Sequence, residues 1–160
     1  MRKKVLDFLK DENIAYEITE HETVYTMEDM ERLGLYDLGT VCKNLFIRDA
    51  KGKRHFLVVA HKDTRIDLKA LGVTIEAGKV SFASAERLEK YLGVTAGCVS
   101  PFGVLNDAEH SVTLVFDKKL VGCPRLGVHP NEHTATLWLS FSDLSAAIKK
   151  LGNEIIIAEL

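Results

Sequence analysis

Lys43 is the residue in this chain whose position most invites chemistry. It lies in Cys42-Lys43-Asn44-Leu45-Phe46-Ile47-Arg48-Asp49, a run of β-formers that carries a cation where a strand meant only for packing would not want one. Side chains alternate across a strand, so Lys43, Leu45 and Ile47 share one face and Cys42, Asn44, Phe46 and Arg48 the other. If Leu45 and Ile47 face the core, Lys43 projects over its edge, where an ammonium can clamp an anion. The plainer reading is that lysines commonly end strands with the stem on apolar surface and the charge in water, and spacing alone does not separate the two.

Other reactive residues are weaker candidates. His129 and His133 are four apart, but Pro130 and the strand-like residues after them argue against a helix that would bring them together, and H-E-x-x-H is absent. Cys42 beside Lys43, or Cys123 with His129, has no local motif of a cysteine hydrolase around it. Ser100 lacks the G-x-S-x-G elbow. Asp63, Asp67, Asp107 and Asp117 occupy turn or cap positions, where carboxylates usually bond nearby backbone. Lys51, Lys53, Arg54, Lys62 and Arg65 gather in one region and read first as a solvated face.

The bulk properties narrow the function classes. With 160 residues, 46% hydrophobic and 28% charged, the chain fits one domain that buries a core without staples. No apolar run approaches a membrane span, and the N-terminus, basic and then acidic, does not make a signal peptide, so a cytoplasmic protein is expected. The three cysteines are far apart without C-x-x-C, which suggests neither a disulfide framework nor a zinc site. A formal charge of -2 argues against broad coating of nucleic acid, DNA included; any nucleic acid should be met locally.

The elements that must position these residues are legible from periodicity and punctuation. Val5, Leu6 and Leu9 mark an amphipathic helix over Arg2 to Asp11, and Ile14 to Ile18 alternates as a strand. Thr26 with Asp29 fits a capping box opening a helix over Met27 to Leu33, ended by Gly34. Two β-rich runs around Asp49 to Lys53 predict an antiparallel hairpin with a five-residue connection, and Lys43 at its open end. Asp67 to Leu71 reads as a short helix stopped by Gly72, Lys79 to Phe82 as a short strand, and Ser84 as the cap of a helix closed by Gly93.

Thr95 to Gly103 is a turn-rich loop containing Ser100-Pro101-Phe102-Gly103. Val112 to Phe116 reads as a buried strand. Gly122 to His133 is the longest stretch without periodicity and reads as an ordered functional loop. Thr134 to Leu139 alternates as a strand, Ser142 can cap a helix over Asp143 to Leu151 stopped by Gly152, and Glu154 to Ala158 supplies a last strand. Six or seven strands with about four helices predict a single α+β domain over residues 1–160, its mixed, largely antiparallel sheet flanked by helices. Neither G-x-G-x-x-G nor a P-loop is present.

Taken together and in order, Lys43-Asn44-Leu45-Phe46, Phe56-Leu57-Val58-Val59, Arg65-Ile66-Asp67-Leu68, Ser81-Phe82-Ala83-Ser84, Ser100-Pro101-Phe102-Gly103 with Asn106-Asp107, and Gly127-Val128-His129-Pro130 with Thr134-Ala135-Thr136 carry a resemblance. The chain resembles the YbaK-type aminoacyl-tRNA deacylases, which share their fold with the editing domain inserted in bacterial prolyl-tRNA synthetases. It looks most like the freestanding branch that removes alanine mischarged on tRNA(Pro). Ala96 stands where that pattern has proline.

The resemblance implies that Lys43 is the essential residue and holds the phosphate at the tRNA 3′ end. It implies that Asn44, Phe46, Ser100, Phe102 and Gly103, with the Gly127, Val128, His129 and Pro130 loop, bind the substrate, and that Phe46, Phe102, Val128 and His129 wall the aminoacyl pocket. The substrate's terminal ribose hydroxyl would help a water attack, with no metal and no cofactor. The implied partner is the acceptor end of mischarged tRNA(Pro), with prolyl-tRNA synthetase as a candidate second partner.

A missing methylene is worth only about 1–3 kcal/mol, so a synthetase pocket for proline cannot strongly reject alanine, and a second pocket that excludes proline completes the sieve. A Cys-tRNA(Pro) deacylase and a catalytically silent module binding the tRNA end remain the alternatives.

Overall fold

A computed structural model describes all 160 residues. In chain order the elements are α1 (Arg2–Asp11), β1 (Glu17–Glu20), α2 (Met27–Arg32), β2 (Thr40–Asp49), β3 (His55–His61), α3 (Leu68–Thr74), β4 (Val80–Phe82), α4 (Ala85–Leu92), β5 (Val112–Asp117), β6 (Leu126–Val128), β7 (Ala135–Leu139), α5 (Phe141–Leu151) and β8 (Ile155–Ala158), with short 3-10 turns between them. The sheet runs β1-β7-β6-β2-β3-β5-β8, and β4 also pairs with β2. Four of its seven pairings are antiparallel and three parallel, so the α+β class with a mixed sheet holds.

The hairpin forms as expected, with Lys43 opposite Ala60 and Ile47 opposite Phe56. β3 is apolar from Phe56 to Ala60 because both of its faces are buried. On one face, Phe46, Leu57, Val59, Leu114 and Phe116 join α1, α4 and α5 in the main core. On the other, Ile47, Phe56, Val58 and Val115 pack with Leu71 and Ile75 around α3. A third small cluster, Val24, Met30, Leu35, Val41 and Trp138, forms around α2. Val41 and Ile47 lie on one face of β2 but feed different clusters. Lys43 stands between them, where neither cluster covers the strand.

Several boundaries differ from expectation for local reasons. Gly72 lies inside α3 rather than stopping it: a Cβ there would sit 1.9 Å from the Gly78 carbonyl oxygen, so glycine is needed for close approach. Ser140, not Ser142, caps α5, accepting from the Asp143 N–H. The aperiodic stretch before His133 contains β6, whose three residues are all buried and so show no alternation. The first strand begins later, at Glu17. The capping box of α2 is present as expected.

Candidate active site

β2 is the strand that builds the site, because one of its edges is only partly used. On that edge β6 pairs with Thr40 and Val41, and β4 pairs with Ile47, Arg48 and Asp49. Between them, Cys42 to Phe46 have no strand alongside. The Thr40 N–H donates to the Arg125 carbonyl and the Phe46 carbonyl accepts from the Ala83 N–H at 2.9 Å, so both residues turn their backbone groups toward this edge. Backbone direction alternates along a strand, so Asn44 turns its N–H and C=O to the same side, into the gap.

A cavity of about 330 Å³ opens at this gap. Cys42 to Leu45 form one side; Val24 to Met27 and Met30, at the start of α2, form another; Ala96, Gly97, Val99 and His129 complete it. Lys43 is half-buried at this cavity, and its ammonium takes part in none of the side-chain hydrogen bonds or ion pairs of the chain. Asp63, a carboxylate that feels its charge, is bonded instead to Lys62 at 3.1 Å. No carboxylate lines the cavity. The Lys43 ammonium is therefore available to an incoming anion.

The polar groups deeper in are neutral. Asn44 Oδ1 is buried without a hydrogen-bond partner, an acceptor held in reserve. His129 Nδ1 lies 3.3 Å from the Ala135 carbonyl oxygen, which can only accept, so Nδ1 carries the proton and Nε2 is left as the acceptor. Burial lowers the His129 pKa below the ordinary histidine value, and His21 and His133 nearby push it further in that direction. Burial pushes the Cys42 thiol far up, so it is not a thiolate nucleophile. No three His, Cys, Asp or Glu side chains are gathered so as to hold a metal ion.

An aminoacyl-tRNA editing domain model matches residues 21–147. The chain belongs to the aminoacyl-tRNA editing domain family. Editing here is hydrolysis of the ester between amino acid and tRNA, so the enzyme class is aminoacyl-tRNA deacylase. Among similar proteins, the prolyl-tRNA editing protein ProX of Acetoanaerobium sticklandii is 49% identical over 99% of this chain and 97% of its own length. The prolyl-tRNA synthetase associated domain-containing protein 1 of Danio rerio is 36% identical over 98% and 86%. A solved structure of a proposed trans-editing enzyme for prolyl tRNA synthetase superposes with a TM-score of 0.74 at 20% identity, covering 99% of this chain and 96% of that one, which shows the shared fold.

Within this editing domain, Lys43, Asn44 and His129 are the expected site residues that meet at the cavity. The others stand behind it. Ser100 is fully buried, donates to the His129 carbonyl at 2.5 Å and accepts from the Phe102 N–H at 3.1 Å, so it ties the two loops together. Phe46, Phe102 and Val128 do not line the cavity, because their side chains are packed into the main core. Gly103 sits where a Cβ would come 3.0 Å from Leu92, and Gly127 where one would come 2.6 Å from the Trp138 ring. Both glycines are packing requirements. Pro130 is buried in the turn that follows β6.

The walls not foreseen are Val24, Tyr25, Met27 and Met30 around the start of α2, together with Cys42, Ala96, Gly97 and Val99. The available signal was Tyr25, an aromatic residue directly before a cap, where neither helix nor strand periodicity asks for one.

Proposed function

We propose that the chain hydrolyses alanine from mischarged tRNA(Pro), acting on the free aminoacyl-tRNA. The observation that carries this reading is a lysine without an acidic partner, set beside a small cavity whose other polar groups are neutral. The cavity volume of about 330 Å³ is at the small end of ligand sites, which span roughly 300–1,000 Å³, and suits a small aminoacyl group with part of its ribose. The similarity to prolyl-tRNA editing proteins supports tRNA(Pro) as the carrier.

The chemistry follows from the groups present. Lys43 holds the phosphate on the 5′ side of the terminal nucleotide, which fixes the ribose and its ester at the gap in β2. The oxygen of a water attacks the ester carbonyl carbon, and the negative charge that develops on the carbonyl oxygen meets the unpaired Asn44 N–H. The water's proton passes through the neighbouring ribose hydroxyl to the leaving ribose oxygen as the C–O ester bond breaks. Alanine and intact tRNA are the products. Asn44 Oδ1 and His129 Nε2, two neutral acceptor atoms, accept hydrogen bonds from the amino group of the substrate without supplying a counter-charge. An ester is already activated, so no side-chain nucleophile is required.

The test is incubation with Ala-, Cys- and Pro-tRNA(Pro), following release of the amino acid. Release of alanine with proline retained is the expected result. Preferential release of cysteine would reassign the substrate, and no release from any of the three would leave a binding module.

A further inference from the structure

Tyr25 is the most exposed aromatic residue of the chain, with 72% of its surface open, yet it is not a loose one. Its backbone N–H donates to Asp29 Oδ2 at 2.9 Å, and the preceding Val24, almost fully buried, donates its N–H to the His133 carbonyl at 3.0 Å. The ring packs against His133 in a T-shaped pair, with centroids 5.3 Å apart and planes at 69°. Beside it Gly97 has no side chain, and a Cβ there would lie 3.8 Å from the Tyr25 ring. The ring is thus held at its root and against His133, with most of its surface left open. Such an arrangement contributes little to the core and suits a flat ligand.

The geometry of the substrate says which flat ligand. On the terminal ribose, the phosphate, the ester and the base are attached to different carbons of one small ring. With the phosphate on Lys43 and the ester in the cavity, the base has to lie on the rim. Apart from the His129 imidazole, Tyr25 is the only aromatic ring among the residues that line that rim. Resting on the editing reading, we propose that Tyr25 is the platform on which the 3′-terminal nucleobase stacks, so that the cavity is entered only by an ester presented with its base and phosphate both seated. Tyr25 is a binding residue, and its loss weakens substrate capture rather than the hydrolytic step.

The rival role for Tyr25 is to prop His133 and the loop behind it. Variants separate the two. Tyr25→Phe and Tyr25→Trp keep a stacking face, Tyr25→Leu keeps apolar bulk without one, and Tyr25→Ala removes both. Each is measured on alanylated minihelices carrying either the normal 3′-terminal nucleoside or an abasic one, with binding of the uncharged minihelices followed in parallel.

For the unmodified protein, removing the base raises KM about 10- to 100-fold with kcat nearly unchanged. Tyr25→Ala and Tyr25→Leu raise KM on the normal minihelix by a similar factor and are then insensitive to the missing base. Tyr25→Phe and Tyr25→Trp behave like the unmodified protein. The proposal is overturned if Tyr25→Leu keeps a normal KM, or if Tyr25→Ala still loses affinity when the base is removed. Failure of the unmodified protein to hydrolyse any mischarged tRNA, with base-dependent binding of the uncharged minihelix intact, would instead remove the editing reading and leave the stacking platform in place.

Discussion

The two ends of β2 present the same ingredients and put them to different uses. At the hairpin tip, His55 is buried between Phe46 and Tyr91, with ring centroids 5.7 and 4.0 Å away, and lies 3.0 Å from the Arg87 guanidinium. Asp49 there accepts from the Lys53 and Arg54 N–H groups, and Arg87 also donates to the Gly52 carbonyl. At the other end, His129 is half-buried, but only one ring nitrogen is engaged, and the Lys43 ammonium and Asn44 Oδ1 beside it have no partner. Burial lowers the pKa of both histidines. A shifted histidine or a cluster of charges therefore does not mark a site by itself. What distinguishes the functional end is unspent hydrogen-bonding capacity facing a cavity.

Substitutions at the two ends should separate cleanly. The largest effect is expected from Lys43→Ala, which should lower kcat/KM for Ala-tRNA(Pro) by about 100-fold or more through loss of the phosphate anchor. Its melting temperature should stay close to that of the unmodified protein, because the Lys43 ammonium bonds to nothing in the chain and its backbone pairing with Ala60 survives the substitution; a large drop in melting temperature would mean that the lysine is structural.

Next in size is Ser100→Ala, which frees the buried His129 carbonyl and the Phe102 N–H from their shared hydroxyl. A stability loss of about 1–3 kcal/mol in denaturant unfolding is expected. Activity should fall with it, because the loop carrying His129 loosens. Unchanged activity in a destabilised variant would detach that loop from substrate binding.

At the tip, His55→Gln keeps an acceptor for Arg87 but loses the ring stacking, and should cost about 1 kcal/mol while leaving deacylation within about twofold. The pH dependence sharpens the contrast. His55 and His129 titrate below the unfolded value of about 6.5, so the unfolded chain takes up their protons first. Their contribution to stability is complete above that pH and is lost as the pH falls through it toward the lowered folded values. His55→Gln should flatten this acid loss, as read by melting temperature between about pH 7 and 5, and an unchanged slope would mean that His55 is not protonated on unfolding.

The smallest effect concerns salt. With contact confined to the acceptor end, the logarithm of tRNA affinity should fall with the logarithm of salt with a slope of magnitude below about 3. A steeper slope would bring the basic tip, and the rest of the tRNA, into the interface.

Much of the scaffold was written locally. The capping box of Thr26 and Asp29, the cap at Ser84, the left-handed glycines Gly93 and Gly152 that end α4 and α5, and the hairpin all depend on residues within a few positions of one another. Gly72 reads as a helix stop because, in sequence, a glycine that ends a helix and one that lets a distant carbonyl approach look alike until the Gly78 turn is in place. β6 was hidden because three buried residues have no period.

The site divides the same way. Lys43, Asn44 and His129 could be named from their motifs, whereas the α2 wall could not. Val24, Tyr25 and Met30 lie well before β2 in sequence and reach the cavity only because α2 packs on Val41 and Trp138. Residues such as Phe46, Phe102 and Gly127 belong to the same motifs but act from the core, where they fix the shape of the gap. A motif marks a neighbourhood, and only the fold tells its lining from its support.

The central claim is that the Lys43 ammonium meets the last phosphate of the tRNA. It is tested most directly by replacing that phosphate with an uncharged methylphosphonate in alanylated tRNA(Pro) and measuring kcat/KM for the unmodified protein and for Lys43→Ala. The neutral linkage should cost the unmodified protein about as much as losing the lysine does, and should cost Lys43→Ala almost nothing further. Equal sensitivity of both proteins to the neutral linkage would show that another group holds the phosphate.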